Sequence, residues 1–346
     1  MHITHKERLR RALRYEPIDR LPTQVGYTRA AGAQLAAHLD TSLPDLAVRL
    51  DNHLVRVDLS CAERLNGDGT ITHDWWGVGF ATGEEGYFVK HCPLGGDAHV
   101  GLRSVAWPDP HAAGLLDDAA RTIAADAGEH FIVPNFGFCL FERAWSLRGF
   151  DAFLTDLALD QAFAEELLER ITEIQLVLIQ RYLALGIDGG YFGDDYGAQK
   201  NLLISPKTWR ALIKPRLERL FAPFRDAGLP VIMHSDGSIA AILPDLVDIG
   251  LSVYNPVQPD VVDLAWLHRR FGTNLAYYGG VSTQTVLPHG SPAGVREAVR
   301  TTIRTLAPDG TGLLLAPSHR LMADIPMANI DALLDAYAGL GQERRS

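Results

Sequence analysis

Short apolar, β-branched runs recur eight times along the 346 residues, with helical patterns between most of them. They are LPTQVGY (21–27), LVRVDL (54–59), FIVPNF (131–136), DGGYFGD (188–194), PVIMHS (230–235), LSVYNP (251–256), LAYYGG (275–280) and GLLLAP (312–317). Strands that alternate with helices build βαβ units and a parallel sheet. Eight of them in a chain of this length predict an α/β fold of the (β/α)8 TIM-barrel type, with residues 1–346 as a single domain. A doubly wound sheet is the alternative with the same alternation. Neither an internal repeat nor a low-complexity linker interrupts the pattern.

The helical patterns have their own signals. From Asp160 onward, Phe163, Leu167, Ile171, Ile174, Leu178 and Tyr182 recur every three or four residues and define one apolar face, which Gly186 is placed to end. SPKTW (205–209) predicts a helix start with Ser205 as N-cap and Pro206 in the first turn, while Pro215 and Pro223 should break or kink the rest of that segment. Residues 74–95, DWWGVGFATGEEGYFVKHCPLG, are aromatic, glycine-rich and alternating. They predict a hairpin inserted in a loop as a substrate cover.

Composition narrows the classes of function. Apolar residues make up 47% and charged residues 21%, as in an ordinary globular enzyme. The 42 acidic residues exceed the 32 basic ones, and a net charge of −10 argues against nucleic-acid or anionic-membrane partners. No apolar run of about eighteen residues predicts a membrane span. The N-terminus is basic and amphipathic without the apolar core of a secretory signal. Cys61, Cys92 and Cys139 are odd in number and widely spaced, which fits reduced thiols and a cytoplasmic location.

A barrel of this type carries its chemistry at the C-terminal ends of its strands. The third run leads into Glu142 and Arg143, the fourth ends in Asp194, Asp195 and Tyr196, and the fifth in His234, Ser235 and Asp236. The sixth leads to Asn255 and Gln258, the seventh holds Tyr278, and the eighth leads to Ser318 and His319. His234 and Asp236 are two residues apart and face the same way if the strand continues. Imidazole and carboxylate are both zinc ligands, so His234, Asp236 and His319 are candidate metal ligands, with Glu142, Asp194 or Asp195 as a fourth. His-x-Asp also suits an acid–base pair. Each residue has a plainer reading: a capping aspartate, a satisfied core histidine, a surface ion pair.

Six segments taken in order carry a family resemblance: KERLRRALRYEPIDRLP, ERAWSLRGFDAFLTDL, GDDYGAQKNLLISPKTWRALIKPRL, HSDGSIAAILPDLVDIGLSVYNPVQP, YYGGVSTQTVLPHGSP and LLLAPSHRLMADIPMANI. The chain resembles the uroporphyrinogen decarboxylase superfamily, and within it the methyltransferase-like branch. The resemblance implies the barrel fold and two chemistries. One is cofactor-free decarboxylation of the acetate arms of uroporphyrinogen. The other is zinc-dependent methyl transfer to or from a corrinoid carried by a partner protein.

The decarboxylases carry an Arg-Gln-Ala-Gly-Arg stretch after the first strand. Here the region reads VGYTRAAGAQL, with Arg29 alone, although Arg20 is kept. Branch members with thiol acceptors show His-x-Cys and a later Cys. Here those positions read His234-x-Asp236 and His319. Nitrogen and oxygen ligands suit zinc acting as a Lewis acid, and also admit other divalent metals. The pattern therefore resembles corrinoid methyltransferases of the O-demethylase type, acting on a small, methoxylated substrate. The alternative is a uroporphyrinogen-decarboxylase-type carboxy-lyase, and a third reading is a non-catalytic binder.

Each residue then has an expected role. His234, Asp236, His319 and Glu142 hold the metal, or the histidines act as general acids without one. Asp194, Asp195 and Tyr196 serve catalysis, one aspartate staying protonated beside the other. Arg20, Trp145, Arg148, Gln258 and Tyr278 bind substrate. The expected partners are the small molecule and a corrinoid protein, with no Asp-x-His-x-x-Gly corrinoid motif in this chain and a homodimer compatible with the reading.

Overall fold

The computed structural model describes residues 3–61, 64–82 and 88–340. Strand β1 (Leu54–Val57) is followed by an antiparallel insert of β2 (Arg64–Leu65), β3 (Ile71–His73), β4 (Gly79–Ala81) and β5 (Val89–His91). The parallel strands then resume as β6 (Phe131–Phe136), β7 (Gly190–Gly193), β8 (Val231–His234), β9 (Val253–Val257), β10 (Ala276–Val281) and β11 (Leu313–Pro317). Their order in the sheet is the order of the chain, β1-β6-β7-β8-β9-β10-β11, as right-handed βαβ units produce. The result is a seven-stranded, curled parallel sheet of the TIM-barrel type.

The first expected strand, 21–27, is not one. It makes only isolated parallel bridges, Thr23 with Leu315 and Tyr27 with Leu321. On its other side, side chains replace the backbone ladder. Gln24 Oε1 accepts from the amides of His53 and Leu54 at 3.1 and 2.9 Å, and Asn52 Oδ1 accepts from the Val25 amide at 2.7 Å. The segment thus meets both edge strands, β11 through its backbone and β1 through amide side chains, and no regular ladder forms.

Inside the curl, Leu54, Phe131, Val133, Tyr191, Ile232, Val253, Ala276 and Leu314 form one apolar cluster, and Leu9 of the helix His5–Leu13 joins it from the N-terminal end. Burying such side chains stabilises the fold by about 2 kcal/mol each. The cluster fills the lower interior and leaves the C-terminal half open to the site.

The helix predicted from Asp160 runs Gln161–Leu183. Its six predicted face residues are all buried, and the Asp160 side chain caps the Phe163 amide. Ser205 caps Pro206–Thr208 as expected. Pro215 has no N–H to donate, and the backbone before it widens into a π-turn at Trp209–Ile213. Pro223, however, lies within the helix Lys214–Asp226 and does not end it. The predicted hairpin is part of a larger element. The insert is a four-stranded antiparallel sheet that begins at β2, and residues 83–87 of the predicted span lie outside the described residues. Arg143, buried in the helix Phe141–Arg148, ties this sheet to the barrel through a 2.7 Å bond to Asp74 Oδ2. Among the described residues, no helix is long and apolar enough to cross a membrane.

Candidate metal centre

His234 is the last residue of β8, so the strand stops before Asp236 and strand alternation does not align the two. A turn does. Gly237 has φ +76°, and a Cβ there would sit 2.5 Å from the Gly197 carbonyl carbon. Only glycine allows the loop after β8 to lie this close to the loop after β7. The contact lets the Asp236 amide donate to Asp195 Oδ1 at 2.8 Å, so the two aspartate loops are locked together. Asp236 caps no helix, since the next one starts at Leu243 behind Ile242.

The turn carries Asp236 back toward β8. Its Oδ1 lies 3.9 Å from His234 Nε2, and its Oδ2 lies 3.6 Å from His319 Nε2. One donor atom from each of His234, Asp236 and His319 lies within 4.8 Å of the others. Gln258 fixes the carboxylate by donating to Asp236 Oδ1 at 3.1 Å, while its Oε1 accepts from the Gly237 amide at 2.8 Å.

Asn255, on β9, determines which histidine nitrogen is available. Its Oδ1 can only accept, and it takes hydrogen bonds from His234 Nδ1 at 2.7 Å and from the Tyr191 hydroxyl at 2.9 Å. Nδ1 therefore donates, and Nε2 is the ring nitrogen turned toward the cluster. Burial, opposed by Asp236, holds the His319 pKa below its usual value, which keeps that ring neutral and able to donate electrons. Two imidazoles and one carboxylate match the three-ligand sets of catalytic zinc, which leave a position open. The residues present therefore fit a divalent metal. Asn255→Ala is expected to weaken zinc binding about 10- to 100-fold with little change in the fold, measurable by competition with a chromophoric chelator.

The remaining predicted residues divide. Asp195 stands at the cluster, 4.0 Å from His234 Nε2, and burial raises its pKa. Glu142 lies on the cavity wall but outside the three-ligand cluster. Burial, then the negative charges of Asp195 and Asp194, push its pKa to about 9. It therefore holds a proton at neutral pH. Asp194 is fully buried and faces away from the cavity. It accepts the amides of Leu140, Phe141 and Glu142 at 3.1, 2.8 and 2.6 Å and the Tyr196 hydroxyl at 2.6 Å. Burial raises its pKa to about 6 against those four bonds. Its position is that of an anchor for the N-terminus of the helix Phe141–Arg148, with Tyr196 buried beside it. Tyr278 lines the cavity.

Three predicted substrate-binding residues lie elsewhere. Arg20 pairs with Asp51 at 2.6 Å, before β1 and so at the opposite end of the sheet. Arg148 is held by Asp156 at 2.7 Å and by the carbonyls of Leu94 and Gly96. Trp145 packs against Phe138 and Phe150. A second ligand-like cluster, His5, Asp51 and His53, lies near Arg20. There, Arg20 pairs with Asp51, and the Arg8 guanidinium donates to His53 Nε2 at 3.2 Å. Two guanidiniums repel a cation, so this cluster is a salt-bridge network.

The metal candidates open onto a cavity of about 950 Å³. Trp75, Trp76 and Phe80 of the insert line it together with Phe138. Sequence reasoning missed Asn255 as a positioning residue, together with Tyr191, whose hydroxyl shares the Asn255 oxygen. The signal for Asn255 was a lone polar side chain in an otherwise apolar strand.

Known proteins share this architecture. The family model for uroporphyrinogen decarboxylase matches residues 4–340. A uroporphyrinogen decarboxylase from Nocardia farcinica is 25% identical over 178 residues, which is 49% of this chain and 47% of that protein. The match thus spans about half the length of that relative. A methyltransferase from Methanosarcina mazei shares the fold, with a TM-score of 0.72 and 20% identity over 100% of both chains. A match from the first helix to the last, on this curled parallel sheet, places the chain in the uroporphyrinogen decarboxylase family.

Proposed function

We propose that this protein is a metal-dependent methyltransferase that moves a methyl group between a small, methoxylated substrate and a corrinoid carried by a partner protein. One observation carries the reading: His234, Asp236 and His319 converge, with donor atoms within 4.8 Å, on the wall of a large aromatic cavity. The methyltransferase named among its structural neighbours supports the same reaction class. When bound, zinc supplies a Lewis acid at the oxygen that loses its methyl group.

The chain's own residues do the rest. Asn255 holds the His234 ring with Nε2 toward the cluster, and Gln258 with the Asp195-bound turn holds Asp236 in place. The Glu142 carboxyl retains a proton that it can give to the departing oxygen, whose electron pair would otherwise stay as an alkoxide or phenoxide. Trp75, Trp76, Phe80 and Phe138 limit access of water to that oxygen.

The decarboxylase alternative has the family name behind it, but the cavity suits it poorly. A polycarboxylate would meet Asp58, Asp74, Asp195 and Asp236 on the walls against Arg56, Arg143 and Arg320, of which Arg143 is already paired with Asp74, and Arg20 lies at the other end of the sheet. Metal analysis of protein purified without added zinc tests the proposal. About one divalent ion per chain is expected. No ion, even after zinc is added and the excess removed, would overturn it and leave the histidines as acid–base groups.

A further inference from the structure

We infer that Gly197, which belongs neither to the metal cluster nor to the cavity wall, is a positioning residue for the metal: it sets the place of the Asp236 ligand through the backbone of the neighbouring loop. The inference rests on the metal-centre reading for its effect on zinc, while the contact itself is a feature of the fold.

Beyond the last paired residues of β7 and β8, Gly193 and His234, the two chains stay zipped. The Asp194 amide donates to the His234 carbonyl at 2.9 Å and the Tyr196 amide to Ser235 Oγ at 3.0 Å. The Asp236 amide donates to Asp195 Oδ1 at 2.8 Å and the Ser238 amide to the Ala198 carbonyl at 2.9 Å. Gly197 sits inside this run. A Cβ on it would lie 2.6 Å from the Asp236 carbonyl oxygen, 2.6 Å from the Gly237 carbonyl carbon and 2.7 Å from the Ser238 nitrogen. These are backbone atoms, so no side-chain rotation relieves the overlap. Unlike Gly237, Gly197 does not have a positive φ. Alanine is therefore barred at 197 by the neighbouring turn and not by its own conformation.

The β7 side of the contact is the rigid one. Asp194 and Tyr196 are fully buried, and Asp194 accepts the amides at the start of the helix Phe141–Arg148. The residues that follow form a small hairpin, in which the Ala198 amide donates to the Asn201 carbonyl at 2.7 Å and the Leu203 amide to the Tyr196 carbonyl at 2.8 Å. The turn at 236–238 is half-buried and leads to no helix before Leu243. A wedge at 197 therefore displaces the turn that carries Asp236. Non-bonded atoms pack at about 3.5 Å, so a contact at 2.6 Å asks for a shift of about 1 Å. A metal site tolerates only about 0.2 Å in a ligand distance. His234 is held in β8 and His319 follows β11, so the wedge takes one ligand away and leaves two.

The test is Gly197→Ala in the full chain. It is read by zinc competition with a chromophoric chelator, by the visible spectrum of the cobalt(II)-loaded protein and by amide hydrogen exchange of the metal-free protein. Zinc is expected to bind about 100-fold more weakly or worse. The cobalt band is intense in four-coordinate sites and faint in six-coordinate ones, and it should fade as water replaces the carboxylate. The Asp236 and Ser238 amides should exchange faster, while those of Ile232 and Met233 inside β8 keep their protection. Ser235→Ala adds no bulk and cuts one bond of the zipper. It should act in the same direction by about tenfold, and it decides the matter if Gly197→Ala does not fold. Folded Gly197→Ala with the parent's zinc affinity and cobalt spectrum would overturn the inference. So would a weakened site whose Asp236 and Ser238 amides exchange as slowly as before. The two readings fail separately. A parent that binds neither zinc nor cobalt removes the metal centre, and the exchange comparison then decides alone whether Gly197 places Asp236. A parent that binds zinc no more tightly than its Gly197→Ala variant keeps the metal centre and loses the positioning role.

Discussion

Replacing His234 and His319 together by alanine is expected to abolish zinc binding and lower methyl transfer on the order of a thousandfold or more, because the reaction loses its Lewis acid. Each ring supplies one nitrogen to the cluster, and the single remaining donor, Asp236, lies on a half-buried turn. One carboxylate does not hold zinc against water. The fold should survive. Neither ring belongs to the apolar clusters, and the backbone contact of Gly237 with Gly197 does not depend on them. Circular dichroism should therefore match the unaltered protein, while the stabilisation that zinc confers on thermal unfolding disappears. A double variant that keeps its zinc would place the metal elsewhere.

Glu142→Gln is expected to make the metal-free protein more stable and the enzyme slower. The folded pKa of Glu142 is about 9 and the unfolded one near 4.5. Between those values the native carboxyl keeps its proton while the unfolded chain has released it. The native state then binds more protons, so its stability falls as pH rises through this window. Glutamine has no such proton to lose. The variant should therefore gain on the parent as pH increases, by about 2 to 3 kcal/mol at pH 7, and its own stability should lack this slope. Urea unfolding of chelator-treated protein between pH 5 and 9 measures both. Losing the proton donor should slow methyl transfer by about a hundredfold or more. A side chain that raises stability when removed yet lowers turnover is strained for function. Equal pH slopes in the two proteins would show that Glu142 ionises freely.

Part of this architecture is legible in the sequence for physical reasons. The run 131–136 coincides with β6 to the residue, because a strand buried on both faces is a continuous apolar run. The helix at Gln161–Leu183 is visible because its buried face has the helical period. His234, Asp236 and His319 stand out as ionisable groups at the ends of apolar runs, and their convergence comes from the curl of the sheet and from Gly237 rather than from strand alternation. Two kinds of feature stay hidden. Segment 21–27 has the composition of a strand, but its pairing with β1 runs through the side chains of Gln24 and Asn52, which no periodicity reveals. Asn255 is a single polar residue whose importance lies in the neighbours it faces, His234 and Tyr278. Arg20 and Arg148 attract a substrate role by charge alone, and carboxylates at 2.6 and 2.7 Å claim them.

The most direct measurement tracks methyl transfer itself. Zinc-loaded protein, a reduced free corrinoid and a methoxylated one-ring acid are mixed, the corrinoid spectrum is recorded, and the aromatic products and carbon dioxide are quantified. Methylated corrinoid and demethylated acid should appear one for one, with zinc and not after chelation, and no carbon dioxide should form. Release of carbon dioxide from a carboxylated substrate, equally fast with and without zinc and with no methylated corrinoid, would contradict the methyltransferase and establish a metal-independent carboxy-lyase.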